Sequence, residues 1–324
     1  MFTSKDVQYR TIFIINCIKK RNLRVSNGEL LLEEAEEKKT LTKMPFQKIL
    51  ALFVIGHISV TTPLIEKCKK FNVALIVVKP NLRPVFYWAD SAEANFLLRQ
   101  KQYQLEKTDL RLAKVLLTNK IQNQIALLNN TRRKDELTQR AILVCTECLQ
   151  SIPNEQEYMS LMGYEGFSSK AFFAAYFHDL HWKARCPRAK CDAINVTLDI
   201  GYTILFNFME CFLRMFGFDL YVGVFHRLWF KRKSLVCDVM EPFRCIIDRA
   251  VRTSYHRKQF AEKDFTIEKG EFRLKKELSQ DYYKVFVEAL LPHKTTIFNF
   301  VQAYYRAFMR NAPTQAYPKF NISS

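Results

Sequence analysis

The sequence predicts an α+β fold, with a small β-rich N-terminal domain followed by a larger all-helical C-terminal domain. Residues 1–90 contain short runs rich in β-branched residues, and turn residues separate these runs. From residue 91 onward, apolar residues recur at the three- and four-residue spacing of helices. Hydrophobic residues make up 48% of the chain and phenylalanine occurs 27 times, which indicates a sizeable core with bulky packing between helices.

Within the N-terminal domain, a turn and a helix can be placed between the predicted strands. Asn27-Gly28 separates two short apolar runs, and this dipeptide is a strong signal for a two-residue hairpin turn. Residues 46–60 and 73–78 are predicted strands because they are rich in β-branched side chains. The segment between them, Thr62–Phe71, is predicted to be a short helix with Pro63 in its first turn.

The C-terminal domain shows helical patterning almost to its end. Large apolar side chains form one stripe along residues 202–216, as in a helix that faces a core. Residues 298–308 are predicted to form the final helix. Residues 311–324 contain two prolines and little periodicity, which is typical of a loose terminus. The predicted division is therefore a β-rich domain at 1–90, a helical domain at 91–310 and a flexible tail at 311–324.

The charge balance favours a polyanionic partner. The chain has 50 Lys and Arg against 32 Asp and Glu, a formal net charge of +18. Such a charge attracts nucleic acid first and an anionic membrane surface second, although a soluble protein with a lysine-rich surface is the plain alternative. No secretory signal opens the chain, and the longest apolar stretch is too short to span a membrane. The nine cysteines are therefore expected to be reduced thiols in a cytoplasmic protein.

Two glycine-bracketed segments contain the first candidate site residues. Glu165 lies between Gly163 and Gly166, just before a helical run. His226 ends a segment that begins at Gly217. Each has a structural explanation when taken alone: an acid at a helix start that meets the helix dipole, and a histidine that caps or packs against the next helix.

A third segment, residues 234–244 with the sequence SLVCDVMEPFR, contains a close pair of acids. Asp238 and Glu241 are three residues apart, so on a helix they share a face. Two carboxylates in an apolar segment repel each other unless a cation or a proton joins them. Arg244 could instead neutralise one of them in a salt bridge.

Taken in this order, the three segments resemble the CRISPR-associated protein one family, the integrases of spacer acquisition in bacteria and archaea. Residues 98–103 and 195–202 add to the resemblance, because they are similar to the family's Arg-x-x-Gln-Tyr and Asn-x-x-Leu-x-x-Gly-Tyr patterns. The segment at 234–244 is the most specific, and the resemblance covers nearly the whole chain. Leu220 and Phe172 depart from it, since relatives often have proline and tyrosine there.

The resemblance implies a metal-dependent phosphoryl transfer. Glu165, His226 and Glu241 would hold one Mg²⁺ or Mn²⁺, with Asp238 as a supporting group or an alternate ligand. The 3′-hydroxyl of a short prespacer DNA would then attack a phosphodiester of the CRISPR array, and these four residues form the expected catalytic set. Histidine could serve instead as an acid or base, but the resemblance favours a ligand.

The resemblance also implies double-stranded DNA as substrate, a homodimer formed through the N-terminal domains, and a heterohexamer with the small companion, CRISPR-associated protein two. A few relatives work without the companion, and the sequence does not decide between the two cases. Basic residues with interleaved aromatics near the three segments are expected to contact the DNA. They are Lys170, Lys183, Arg185, Arg188, Lys190, Arg227, Lys231, Arg232, Lys233 and Arg244.

Two functions of other classes stay open at this point. One is a basic scaffold that binds nucleic acid without catalysis, and the other is a plain metal-dependent nuclease that hydrolyses DNA and never joins it. A zinc site built from Cys145-x-x-Cys148 and the pair Cys186 and Cys191 is disfavoured, because the spacing fits no common zinc module.

Overall fold

The computed structural model describes residues 3–17, 21–37, 39–80, 82, 84–88, 95–106, 108–132, 134–187, 189–227 and 229–322. The chain forms two compact units. The first comprises Met1–Arg99, Cys211–Phe218 and Leu291–Val301, and the second comprises Gln100–Glu210, Asp219–Leu290 and Gln302–Ser324. The first unit thus includes two segments from later in the chain, which a division by sequence order does not reveal. Phe212 of one segment packs against Phe298 of the other, with ring centroids 5.9 Å apart.

The first unit contains two sheets. Its elements are α1 (Ser4–Tyr9), β1 (Thr11–Cys17), β2 (Arg21–Ser26), β3 (Glu29–Glu34), β4 (Thr40–Pro45), β5 (Ile49–Gly56), α2 (Thr62–Phe71), β6 (Ala74–Val78), β7 (Pro84–Trp88) and the first half of α3 (Phe96–Tyr103). One sheet has the order β1-β5-β6-β7, in which β1, β5 and β6 are parallel and β7 is antiparallel. All residues of β5 are buried, which explains its unbroken apolar sequence.

The turn and the helix predicted in this unit are confirmed. β2, β3 and β4 form a three-stranded antiparallel sheet, and Asn27 and Gly28 join β2 to β3 with φ of 49° and 80°. Positive φ at both positions is what a type I′ turn requires. α2 has Pro63 in its first turn and ends at Asn72, whose left-handed backbone closes the helix.

The second unit is built mainly from helices. Two long helices, α7 and α11, each contain residues of both units. The helices that follow α3 are α4 (Arg111–Asn129), α5 (Glu136–Ser151), α6 (Tyr158–Tyr176), α7 (Ala193–Phe216), α8 (Ser234–Met240), α9 (Arg244–His256), α10 (Ser279–Leu290) and α11 (Lys294–Met309). This arrangement confirms the predicted α+β class, with strands first and helices after.

One hairpin interrupts the helices, so the second unit is not all-helical as predicted. β8 (Phe265–Glu268) and β9 (Glu271–Leu274) pair antiparallel around Lys269 and Gly270, whose φ values are 53° and 78°. The sequence does contain the signal, because alternating apolar and polar residues flank a Lys-Gly turn. Its strands are too short to have stood out against the helical pattern around them.

α7 is the one helix in the described part of the chain that is long and apolar enough to cross a membrane by length and composition. Of its most apolar 18-residue window, 72% is buried inside the protein. The helix therefore serves as a core helix here, and its apolar surface is covered by protein.

The expected flexible tail does not hold for residues 311–322. Phe320 and Ile322 are 3% and 2% exposed. Their backbone N–H groups donate to the side-chain oxygens of Asn119 and Asn123 on α4, both at 2.8 Å. Hydrogen bonds between a terminal segment and buried asparagines leave no periodic pattern in the sequence. For this reason the sequence pattern predicts a flexible tail although the segment is packed.

Candidate active site

A buried lysine joins the two glutamates that came from separate sequence motifs. Lys120 lies on α4, and its Nζ contacts Glu165 Oε1 and lies 2.8 Å from Glu241 Oε2. Only 6% of Lys120 is exposed, so its charge depends on these carboxylates for stabilisation. Burial alone would lower the pKa of Lys120, but the charges of Glu165 and Glu241 raise it above its ordinary value. The ammonium group of Lys120 thus holds the carboxylates of Glu165 and Glu241 close to each other.

Glu165 lies in the middle of α6 and not at a helix start, because α6 already begins at Tyr158. The helix dipole therefore does not stabilise Glu165, and the contact with Lys120 on α4 does. Lys120 lowers the pKa of Glu165, while burial and the charge of Glu241 raise it, and the net shift is downward. Ser169, one turn further along α6, donates its hydroxyl to Glu165 Oε1 at 3.2 Å.

Glu241 has a cation beside each of its oxygens. It begins the turn that follows α8, and Arg244 Nη2 lies 2.9 Å from Glu241 Oε1, so the salt bridge considered from the spacing is present. Burial raises the pKa of Glu241, but Arg244, Lys120 and His226 outweigh it and hold that pKa at about 2. Glu241 is therefore an ionised carboxylate within electrostatic reach of the imidazole of His226.

Asp238 supports His226. Asp238 is fully buried, and its Oδ2 accepts the backbone N–H groups of Val224 and Phe225 at 2.6 and 3.0 Å. Its Oδ1 accepts the backbone N–H of His226 at 2.8 Å and lies 2.5 Å from His226 Nδ1. Since a carboxylate holding these donors acts as an acceptor, Nδ1 is the ring nitrogen that donates to Asp238, and Nε2 is the ring nitrogen that could bind a cation. Asp238 and Glu241 therefore face different partners, although they are only three residues apart.

The glycine spacing before His226 has a steric reason. A Cβ at Gly223 would lie 2.6 Å from Asp238 Oδ2 and 2.7 Å from the backbone oxygen of His226. Only glycine lets the loop come close enough to Asp238 for three backbone N–H groups to reach it. Gly217 has φ of 84° and ends α7, so it needs glycine for a different reason.

A second buried acid lies behind Arg244. The hydroxyl of Tyr202 donates to Asp248, and the guanidinium of Arg244 lies 4.7 Å from the centre of the Tyr202 ring. Burial raises the pKa of Asp248 to about 7, against the opposing effects of Tyr202 and Arg244. The network connects Glu241, through Arg244 and Tyr202, to a carboxyl group poised between its two protonation states near neutral pH.

Glu165 and Glu241 meet at Lys120, but the predicted metal ligands are not assembled into a ligand shell. In the described part of the chain, no group of three or more His, Cys, Asp or Glu residues lies close enough together to hold a metal ion. The chemistry nevertheless fits a cation. Glu241 Oε2 is buried and makes no aligned hydrogen bond, although Lys120 lies 2.8 Å away. Two ionised carboxylates and an imidazole whose Nδ1 is held by Asp238 are donors that suit Mg²⁺ or Mn²⁺.

Several of the predicted DNA-contacting residues have partners inside the protein. Arg185 donates to Asn195 Oδ1 at 2.8 Å and pairs with Asp199, so it fastens the segment after α6 to α7. Lys233 pairs with the buried Glu210 at 2.6 Å. These contacts indicate structural roles, which the sequence could not separate from DNA binding.

The other members of that set differ in exposure. Lys190 pairs with Glu271 at 2.9 Å, Arg244 pairs with Glu241, and Arg188 lies outside the described residues. Arg232 is half-buried next to Cys237. Exposed members are Lys170, Lys183, Arg227 and Lys231.

The loop after His226 combines exposed charge with exposed aromatic surface. Trp229 and Phe230 are 74% and 83% exposed. The Arg227 guanidinium lies 3.9 Å from the centre of the Tyr158 ring, and Lys231 Nζ lies 5.0 Å from that of Phe230. Exposed aromatic rings between cations are typical of surfaces that contact nucleic acid ends.

Sequence reasoning missed Lys120. A signal for it exists, because four polar residues interrupt the apolar face of α4 and all four are buried in the structure. They are Asn119, Lys120, Asn123 and Gln124. Polar residues grouped on the face that periodicity assigns to the core indicate a buried polar site.

Comparison with known proteins shows what this chain is related to. The family model described as CRISPR associated protein Cas1 matches residues 17–288. The CRISPR-associated endonuclease Cas1 1 of Thermodesulfovibrio yellowstonii is 26% identical over 279 residues, which cover 82% of this chain and 88% of that protein. The CRISPR-associated endonuclease Cas1 of Leptospira interrogans is 30% identical over 183 residues, which cover 52% of this chain and 72% of that protein.

Solved structures share the fold at lower identity. A casposase bound to integration product has a TM-score of 0.77 at 19% identity, and the match covers 97% of this chain and 95% of that one. A Cas1 protein from Thermotoga maritima has a TM-score of 0.75 at 17% identity, with 91% and 97% covered. The family match covers most of the chain. This chain therefore belongs to the Cas1 family of CRISPR-associated endonucleases.

Proposed function

We propose that this protein is a metal-dependent DNA integrase of CRISPR adaptation, which joins the 3′-hydroxyl of a short prespacer to a phosphodiester of the CRISPR array. The observation that carries this function is the meeting of Glu165 and Glu241 at one buried cationic position, in electrostatic reach of an imidazole that Asp238 holds in one tautomer. An acid, a second acid and an imidazole from three separate motifs are the donor set that a divalent cation needs for phosphoryl transfer.

Glu165, His226 and Glu241 would hold one Mg²⁺ or Mn²⁺, and metal dependence is general in this family. When bound, the ion supplies Lewis-acid stabilisation of charge on the attacking and leaving oxygens. Asp238 orients the imidazole and the backbone of the loop before it, so it is a positioning group. Arg244 keeps Glu241 ionised and adds positive charge close to where the phosphate would lie.

The DNA path would run over the exposed cations and aromatics near the three motifs. Lys170, Lys183, Arg227 and Lys231 are the members of the predicted set whose exposure suits phosphate contacts, and Trp229 and Phe230 could stack on an end base.

The partners and the location follow the same family. Solved structures of similar fold include a Cas6-RT-Cas1–Cas2 complex and a casposase bound to integration product, which supports DNA and the small companion Cas2 as partners. We infer that the DNA is double-stranded. We infer a homodimer formed through the domain at 1–90, a heterohexamer with Cas2, and a cytoplasmic location.

A strand-transfer assay tests the function. The full chain is mixed with a short duplex carrying free, labelled 3′ ends, a supercoiled plasmid with a CRISPR array, and Mn²⁺. We expect labelled plasmid, and we expect it to disappear in Glu165→Gln and in Glu241→Gln. A matched control is Glu288→Gln, which removes one carboxylate from an exposed position of α10.

The same assay separates the alternatives. Nicked plasmid without joined label would indicate a nuclease that uses water in place of the 3′-hydroxyl. DNA binding with no product, unchanged in both glutamate variants, would indicate a binding scaffold and would overturn catalysis.

A further inference from the structure

The ammonium of Lys120 lies where the two glutamates converge. It contacts Glu165 on one side and Glu241 on the other, and its side chain is only 7% exposed. Two buried carboxylates that approach the same point repel each other strongly without a cation between them. Lys120 therefore supplies, from within the chain, the positive charge that this carboxylate pair needs.

The charges at this point balance without any added ion. Glu165 and Glu241 each carry one negative charge, and Lys120 and Arg244 each carry one positive charge. A divalent cation placed on the same carboxylates would leave two excess positive charges. A DNA phosphodiester brings one negative charge, and a 3′-oxygen that attacks after its proton has passed to water adds another. The site with both ion and DNA therefore approaches neutrality again, whereas the site with the ion alone does not.

Two buried acceptor oxygens near Lys120 also lack well-aligned hydrogen bonds. Glu241 Oε2 is buried and makes no aligned hydrogen bond. One turn along α4, Gln124 Oε1 is likewise buried without a hydrogen-bond partner. Gln124 is 3% exposed, and its amide nitrogen lies 3.5 Å from Ser169 Oγ, beside Glu165. A buried acceptor without a donor is costly, so Gln124 Oε1 points to a site that is completed by something further.

We propose that Lys120 is an internal counter-cation that competes with the divalent metal for Glu165 and Glu241 and turns to the substrate phosphate when the metal is bound. The lysine side chain suits this role, because its charge sits on a long, flexible stem that can move between acceptors. Metal and DNA then bind cooperatively: the ion must displace an ammonium, and the phosphate provides that ammonium with a new partner. By linkage, each ligand tightens the other by the same factor.

The metal site is part of the proposed function, so the test must distinguish the two ideas. Mn²⁺ binding to the full chain is measured from the EPR signal of free Mn²⁺, with and without a short DNA duplex. Lys120→Met removes the charge and keeps most of the side-chain volume. Lys114→Met is the matched control, since Lys114 lies on the same helix and its Nζ donates to the backbone oxygen of Pro153. Glu241→Gln identifies the part of the binding that belongs to this site.

For the unmodified chain and for Lys114→Met, we expect DNA to tighten the Glu241-dependent Mn²⁺ binding by about tenfold or more. For Lys120→Met, we expect Mn²⁺ to bind about tenfold more tightly without DNA, and the effect of DNA to shrink severalfold. If Lys120→Met unfolds without metal, the Mn²⁺ concentration that restores its melting transition reports the same affinity.

Two results overturn the role of Lys120, and they differ in what else they affect. If Lys120→Met binds Mn²⁺ no more tightly than the unmodified chain, while Glu241→Gln abolishes binding, the metal site stands and Lys120 does not compete for it. If Glu241→Gln leaves Mn²⁺ binding unchanged, the metal site of the proposed function fails, and the competition fails with it.

Discussion

His226 Nδ1 lies 2.5 Å from Asp238 Oδ1, and the same carboxylate accepts the backbone N–H of His226. The imidazole is thereby fixed in both orientation and tautomer. Asp238→Asn keeps the shape but turns one acceptor into a donor that faces backbone N–H groups. We expect strand transfer to fall by about 10- to 100-fold, as for other groups that orient a metal-binding histidine. We also expect a loss of about 1–3 kcal/mol in unfolding free energy, measured by urea denaturation.

The matched control for Asp238→Asn is Glu288→Gln, on an exposed position of α10. It should leave strand transfer and stability unchanged. Strand transfer by Asp238→Asn at the unmodified rate would show that His226 needs no support from Asp238.

Two glycines near the site should respond to alanine in opposite ways. In Gly223→Ala the new methyl group meets Asp238 Oδ2 at 2.6 Å, so the loop must shift and both stability and strand transfer should fall. In Gly163→Ala the new methyl group meets nothing within 4 Å inside α6, so the unfolding free energy should rise by about 1 kcal/mol. Melting temperatures of the two variants check this directly. A Gly223→Ala variant as stable and active as the unmodified protein contradicts the close approach to Asp238.

The pair Asp248 and Tyr202 makes stability depend on pH. The pKa of Asp248 is about 7 in the folded protein, above its ordinary value of 3.8, so the folded state binds the proton more tightly than the unfolded state. This contribution is fully present below pH 4 and is lost as pH rises toward and through 7. Asp248→Asn lacks the titration. It should therefore gain stability relative to the unmodified protein between pH 4 and 8, by up to on the order of 4 kcal/mol.

Urea denaturation at several pH values measures this difference. Asp281→Asn, on an exposed position in the first turn of α10, controls for the loss of one carboxylate. Parallel stability curves for Asp248→Asn and the unmodified protein across this range contradict the raised pKa.

The basic residues after His226 should differ in role according to their exposure and their partners. Lys231 is exposed, so Lys231→Ala should weaken DNA binding and lower the slope of log affinity against log salt by about one, without loss of stability. Lys233 pairs with the buried Glu210, so Lys233→Ala should lower the melting temperature and leave the salt slope of the folded protein unchanged. Equal effects of both variants on the salt slope would contradict this division.

The sequence predicted the N-terminal unit well where local rules decide. Asn27-Gly28 requires positive φ, and the continuous apolar run of β5 matches a central strand. The sequence could not predict that residues 211–218 and 291–301 belong to that unit. Periodicity shows which face of a helix is buried but not which neighbouring element covers that face.

The candidate site was partly predictable for a similar reason. Glu165, His226 and Glu241 stood out through their motifs, and their roles as ligands remain a prediction. Lys120 did not stand out, since a lysine in a helix is usually solvated and only tertiary packing reveals that this one is buried. Likewise, Arg185 and Lys233 looked like their exposed neighbours until their buried partners were placed.

Pulsed EPR of Mn²⁺ bound to the full chain with DNA tests most directly whether Glu165, His226 and Glu241 share one divalent cation. We predict one tightly bound Mn²⁺ coupled to a single imidazole nitrogen. The coupling should vanish in His226→Gln, and the tight binding should vanish in Glu165→Gln and in Glu241→Gln. Mn²⁺ that shows no nitrogen coupling, or that binds equally well without either glutamate, would contradict the shared site.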